Sequence, residues 1–169
     1  MKLIQSLSPK KWLCALALGL FATPALAQVD VNCLGSNCLV RGWESFNLQT
    51  LALDQSFCFS LDCSQFGWRE FRGDGRIYEY RCLPGGCFEE GYQIVELFEG
   101  GNVIAEVQCL GQDCHGIGSL LKSEGHVDIT LCKDQDCRSN GWSTRWRNQI
   151  TSDVSCKVGG CFVNGWLEK

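Results

Sequence analysis

Six times along this chain two cysteines recur with four residues between them: Cys33 and Cys38, Cys58 and Cys63, Cys82 and Cys87, Cys109 and Cys114, Cys132 and Cys137, Cys156 and Cys161. The first members of successive pairs lie 25, 24, 27, 23 and 24 residues apart. Three residues separate each pair from a glycine: Gly42, Gly67, Gly91, Gly118, Gly141 and Gly165. An aromatic follows in five copies, as Trp43, Trp68, Tyr92, Trp142 and Trp166, while Ser119 takes that place in the fourth. A sustained period of this length marks a repeat architecture in which each unit packs on its neighbours. A weaker order lies above it. Copies one and four share Cys-Leu-Gly, and copies three and six share Gly-Gly-Cys-Phe, so a three-repeat unit over 28–103 reads as duplicated in 104–169.

The cysteines point to export. Residues 1–27 read as a signal peptide: Lys2, Lys10 and Lys11 precede an apolar stretch over 12–22, Pro24 breaks it, and Ala25-Leu26-Ala27 offers a cleavage site. A lipoprotein anchor at Cys14 fails, because that cysteine opens the apolar stretch behind Trp12 and Leu13, which are not small. Removing 27 of 169 residues leaves a single repeat domain, 28–169, of 142 residues with twelve cysteines, about 8.5 %, near the density of a disulfide scaffold. Export into the periplasm or medium supplies the oxidant such bonds need. The leader takes three lysines and no acid with it, so the net charge of −4 becomes −7. An acidic chain without a basic cluster is a poor partner for nucleic acid. No later segment is long and apolar enough to span a membrane as a helix.

The residue before each second cysteine is Asn37, Asp62, Gly86, Asp113, Asp136 or Gly160, types that tolerate positive φ. Cys-x4-Cys therefore reads as a tight hairpin, its two cysteines opposed on antiparallel strands and bonded within the repeat. Counting outward from such a bond pairs Trp68 with Leu53, Tyr92 with Ile77 and Trp142 with Val127. Between repeats, runs rich in Val, Ile, Tyr and Phe flank turns such as Gly73-Asp74-Gly75, with no helical period. Only the stretch after Trp43, around Asn47 to Leu53, is compatible with a helical turn. The expected fold is all-β: an antiparallel meander of about twelve short strands, with cystines at one end and polar turns at the other. Pairing the first strand with the last would remove both exposed edges, so a closed barrel or ring is preferred to an open solenoid.

Several residues are candidate sites. The cysteines lack the Cys-x2-Cys knuckles of structural zinc, and oxidation suits them better, so neither metal nor cofactor is expected. Cys109-x4-Cys114-His115 resembles a variant c-type haem attachment site, but one histidine among six copies favours a disulfide that happens to precede His. Arg72-Gly73-Asp74 resembles the integrin-binding tripeptide, and it is also a good turn. Trp43, Trp68, Tyr92, Trp142, Trp166 and the off-repeat Trp146 are the candidate ligand-binding residues, since aromatic faces stack on sugars. The competing reading makes the same rings core. No nucleophile elbow, phosphate loop or HExxH occurs, so no catalytic residue and no enzymatic activity is expected. What remains is a non-enzymatic binding module for a carbohydrate or cell-surface ligand. The alternatives are a self-associating structural protein of the envelope or matrix and, more weakly, haem or metal binding.

Overall fold

The computed structural model describes residues 28–98 and 100–169. The leader read over 1–27 lies outside the described residues. Twelve strands follow one another in the described chain: β1 Val29–Cys33, β2 Trp43–Asn47, β3 Leu53–Cys58, β4 Trp68–Phe71, β5 Ile77–Cys82, β6 Gly91–Glu96, β7 Asn102–Cys109, β8 Gly118–Ser123, β9 His126–Cys132, β10 Trp142–Trp146, β11 Gln149–Cys156 and β12 Trp166–Glu168. Each pairs antiparallel with its sequence neighbours, and β12 returns to β1 through Val29↔Glu168, Asp30↔Leu167 and Val31↔Trp166. The meander is thus a closed barrel, the architecture preferred above. Lys157 ties the seam from the side, its Nζ donating to Asp30 Oδ1 and Asn32 Oδ1 at 2.6 Å each.

All six disulfides join the two cysteines of one repeat, with Cα atoms 4.4–4.6 Å apart. Six such bonds suit an oxidising, extracellular-type setting. The surrounding geometry differs from the expected hairpin. Each first cysteine ends a strand, but its partner opens a single helical turn: α1 Cys38–Arg41, α2 Cys63–Phe66, α3 Cys137–Asn140 and α4 Cys161–Asn164, with hydrogen-bonded turns in the third and fourth copies. The residue before the second cysteine has the expected positive φ only where it is glycine, at Gly86 and Gly160. Asn37, Asp62 and Asp136 have extended backbone, with φ near −150°, and their side chains accept from the N–H groups that follow. They are N-caps. Asp113 does the same for His115 and Gly116, at 3.0 and 2.7 Å.

That capped turn lengthens the connection, so the register shifts. Each aromatic faces the first cysteine of its own repeat, as in Cys33↔Trp43, Cys58↔Trp68, Cys82↔Tyr92, Cys132↔Trp142 and Cys156↔Trp166. Trp68 therefore pairs with Cys58 and Tyr80 rather than Leu53, and Val127 is opposite Lys122, not Trp142. Around Asn47 the chain makes a polar turn, with Asn47 Oδ1 accepting from the N–H groups of Gln49 and Thr50.

The repeated glycine now has a cause. A Cβ on Gly42 would lie 1.9 Å from the carbonyl oxygen of Ser56, and one on Gly165 would lie 2.0 Å from that of Val31. Both have φ between +87° and +99° with ψ near 180°, a region open essentially to glycine. The position lets each repeat press its backbone onto the next strand, the last repeat onto the first.

Burial concentrates at the cystine end. Val31, Cys38, Val154, Cys161 and Trp166 form one cluster, and Cys63, Trp68 and Cys87 form another. The outer wall is mixed. Val127, Ile129 and Leu131 alternate along β9 as exposed residues, while His126, Asp128 and Thr130 between them are half-buried. Elsewhere the outer face is charged, with Glu79 between Arg69 and Arg81.

Candidate functional site: an aromatic chamber at the cystine end

The five repeat aromatics stand on alternate strands at one level of the barrel and touch in series. Centroids are 5.1 Å apart for Tyr92–Trp68, 5.4 Å for Trp68–Trp43, 5.9 Å for Trp43–Trp166 and 5.5 Å for Trp166–Trp142, each pair tilted or edge-on. They form a girdle broken only on β8, where Ser119 replaces the ring. The rings point inward rather than across an outer face. Trp68 and Trp166 are buried, at 5 % and 8 % exposure, and Trp43 and Trp142 are half-buried. Trp146, at the far end of β10, does not join them. It stacks on His126 at 5.0 Å and carries the Arg147 guanidinium on its ring at 4.5 Å.

Inside the girdle lies a chamber of about 220 Å³, bounded on its polar side by His115, Ser119 and Thr130. Above it opens a wider bowl of about 670 Å³. The bowl is framed by Leu39, Ser64, Phe88, His115, Arg138 and Phe162, one from each repeat, each immediately after its second cysteine; of these the sequence pattern marks only His115, as a haem-type histidine. The capped turns aim this position at the barrel axis. Backbone bonds link neighbouring turns around the mouth, Cys87 N to Ser64 O at 2.8 Å, Cys114 N to Phe88 O at 3.0 Å and Cys137 N to His115 O at 2.7 Å. The sequence did carry a signal, since six equivalent positions in a closed ring must share one axis. Leu39, Phe88, His115 and Phe162 line both spaces and separate bowl from chamber.

His115 is the singular member. It is 7 % exposed and lies against Phe88 at 4.1 Å and Phe162 at 4.9 Å. Arg138 donates from Nε to His115 Nδ1 at 2.8 Å. Nδ1 is therefore bare, and the neutral ring carries its proton on Nε2, which has no partner among the described residues. Burial, and next the Arg138 charge, pull its pKa down to about 4. The Trp68 Nε1–H is likewise buried without a partner. Burial drives the phenol of Tyr92 up to about 12, so that ring stays neutral.

The other sequence candidates are committed elsewhere. Cys109 and Cys114 are bonded to each other, which removes the thiols that haem attachment needs. Among the described residues no cluster of His, Cys, Asp and Glu could hold a metal ion. The Arg-Gly-Asp tripeptide is spent on its own turn. Arg72 donates to Glu70 at 2.7 Å and covers the Tyr78 ring at 4.6 Å, the Gly73 N–H donates to Asp54 at 2.8 Å, and Asp74 accepts from Arg76 at 2.7 Å.

No family model matches this chain, and neither the curated proteins nor the solved structures hold a match to it.

Proposed function

We propose that this is an exported, non-enzymatic binding module, and that its ligand is a glycan received in the chamber at the cystine end. The observation that supports it is the girdle. A scaffold in need of core alone has no reason to leave about 220 Å³ open beside five aromatic rings. Aromatic faces supply the apolar contact a sugar ring offers, and the side with His115, Ser119 and Thr130 supplies hydrogen-bonding groups. Glycan-array binding of the mature protein, lost in Trp142→Ala, is the expected result. An array on which the folded protein binds nothing overturns the reading.

A second reading, assembly of an extracellular or envelope structure, draws on the apolar stripe of Val127, Ile129 and Leu131, exposed at 51, 41 and 37 %. Assembly would have to use such faces, because each of the twelve described strands already has two partners. Among the described residues no helix is long and apolar enough to cross a membrane. The strands, of three to eight residues, also fall short of the roughly 9–11 a transmembrane strand needs. Light scattering that shows only monomer at high concentration would remove this second reading.

A further inference from the structure

The chamber owes its polar side largely to one repeat. The fourth copy alone lacks the girdle ring, at Ser119, and it alone places a histidine, His115, behind the second cysteine. Both residues face the same space, and Thr130, the ladder partner of Ser119, stands beside them. The geometry points to a single neutral pyranose as the occupant, the terminal residue of a glycan inserted end-on, with its oxygen atoms accepting from His115 Nε2–H and Trp68 Nε1–H. This inference rests on the glycan reading and narrows it to one site per barrel.

Size sets the first limit. At about 220 Å³ the chamber lies below the roughly 300 Å³ at which sites for drug-sized ligands begin, enough for one six-membered ring and too small for two. The remaining residues of a glycan would lie in the bowl, among Gln65, Gln112 and Ser139.

Charge sets the second. No acidic side chain, lysine or arginine lines the chamber, and the bowl sets Glu89, Glu90 and Asp113 against the single cation of Arg138, which disfavours an anion. A quaternary ammonium would find aromatic faces to its liking. It would also leave unpaired two N–H donors that are already buried without a partner, and so forgo roughly tenfold in affinity for each relative to a ligand that pairs them. A ligand bearing oxygen acceptors satisfies both. The orphan atoms of two lining residues are donors with almost no exposed surface, so each ring must turn slightly to meet a ligand that brings the acceptors.

The mature protein would be titrated with methyl glycosides of glucose, galactose, mannose and N-acetylglucosamine, and separately with tetramethylammonium chloride. Calorimetry gives the stoichiometry, and the indole N–H resonances in ¹H–¹⁵N spectra give the location. At least one glycoside is expected to bind one-to-one and to shift the Trp68 Nε1–H most. Ser119→Trp supplies the ring the other copies already accommodate. It fills the chamber and should abolish binding, at least 100-fold, without lowering the thermal midpoint. His115→Phe keeps the stack between Phe88 and Phe162 but removes the donor, and should weaken binding about tenfold. Unchanged binding by Ser119→Trp, a stoichiometry near five, or tetramethylammonium binding where no sugar does would each overturn the inference. Failure of every glycoside at about 10 mM, with longer glycans still positive on the array, would refute end-on insertion and leave the glycan reading standing. A silent array would sink the reading beneath it.

Discussion

Replacing Gly165 by alanine tests why the repeat keeps its glycine, at the one copy where the answer also concerns closure. Gly165 has φ +87° and ψ −165°, and an added Cβ would sit 2.0 Å from Val31 O, 2.8 Å from Val31 C and 3.1 Å from Asn32 Cα. Those atoms are backbone of β1 and cannot rotate away. Holding alanine in this backbone region costs about 1–3 kcal/mol. Relieving the contact requires β1 to retreat by about 1 Å, which breaks one or two bonds of the short β1–β12 ladder at about 0.5–1.5 kcal/mol each. The sum is about 4 kcal/mol, or roughly 10–15 °C in thermal midpoint for a domain of this size. Gly75 provides the control. It lies in the β4–β5 turn with φ +86° and nothing within 4 Å of an added Cβ, so Gly75→Ala carries strain without collision and should cost about 1–2 kcal/mol. Urea unfolding of both variants with disulfides intact gives the comparison. Hydrogen exchange should show early loss of protection at Asp30 and Val31 in Gly165→Ala alone. Equal losses in the two variants, or full protection of β1, would refute the close-approach argument.

Two further outcomes follow from the same geometry. His115 is neutral in the fold, with a pKa near 4 against 6.5 in the unfolded chain, so the unfolded state takes up the proton first as pH falls. Stability should hold above about pH 7 and decline between pH 6.5 and 4, by about 2–3 kcal/mol at pH 4.5; urea midpoints of His115→Phe should lack that component, and equal pH slopes in both proteins would refute it. Removing the seam disulfide with Cys33→Ser and Cys38→Ser opens a six-residue loop, worth about 2 kcal/mol by chain entropy; a measured loss well beyond that would mean that the burial of Cys38, at 0 % exposure, carries most of its effect.

Much of the barrel was legible from the repeat. Strand number, bonding within each repeat and the placement of cystines and turns at opposite ends follow from counting, and closure was favoured by the two exposed edges it removes. The register was not legible, and the reason is local. Asp, Asn and Gly are favoured both in positive-φ turns and at helix N-caps, and only the second use occurs at Asn37, Asp62 and Asp136. Four residues between cysteines fit either a hairpin or a capped turn, and the strand ladder decides. The aromatics were found as a set, but their direction was not. Inside and outside exchange under a one-residue slip, and β9 shows the hazard: its apolar residues Val127, Ile129 and Leu131 are the exposed ones. The axial position behind the second cysteine was not legible as a set, because its residues vary from copy to copy and only His115 carries a motif of its own.

Under the glycan proposal, that variation is where the closed repeat would hold its specificity. In an open solenoid six equivalent positions make six separate places, each seen by a different part of a ligand. Closure puts them around one axis, so a single small molecule meets all six. Six identical residues there would give a featureless ring, able to hold an apolar face but not to orient it. The fourth repeat breaks the symmetry twice, with Ser119 in the wall and His115 in the lid. The break has a cost. A ring at 119 would bridge Tyr92 and Trp142 and complete the girdle, and two such aromatic contacts are worth about 0.5–1.5 kcal/mol each. His115 adds an unpaired buried donor, another 1–3 kcal/mol. Both losses fall in one repeat and border one chamber, while the other five copies keep their rings. The other orphan donor at this chamber, Trp68 Nε1–H, belongs to the second repeat and borders the same space. The coincidence of these losses is the pattern expected when local stability is given up at a site that something else completes.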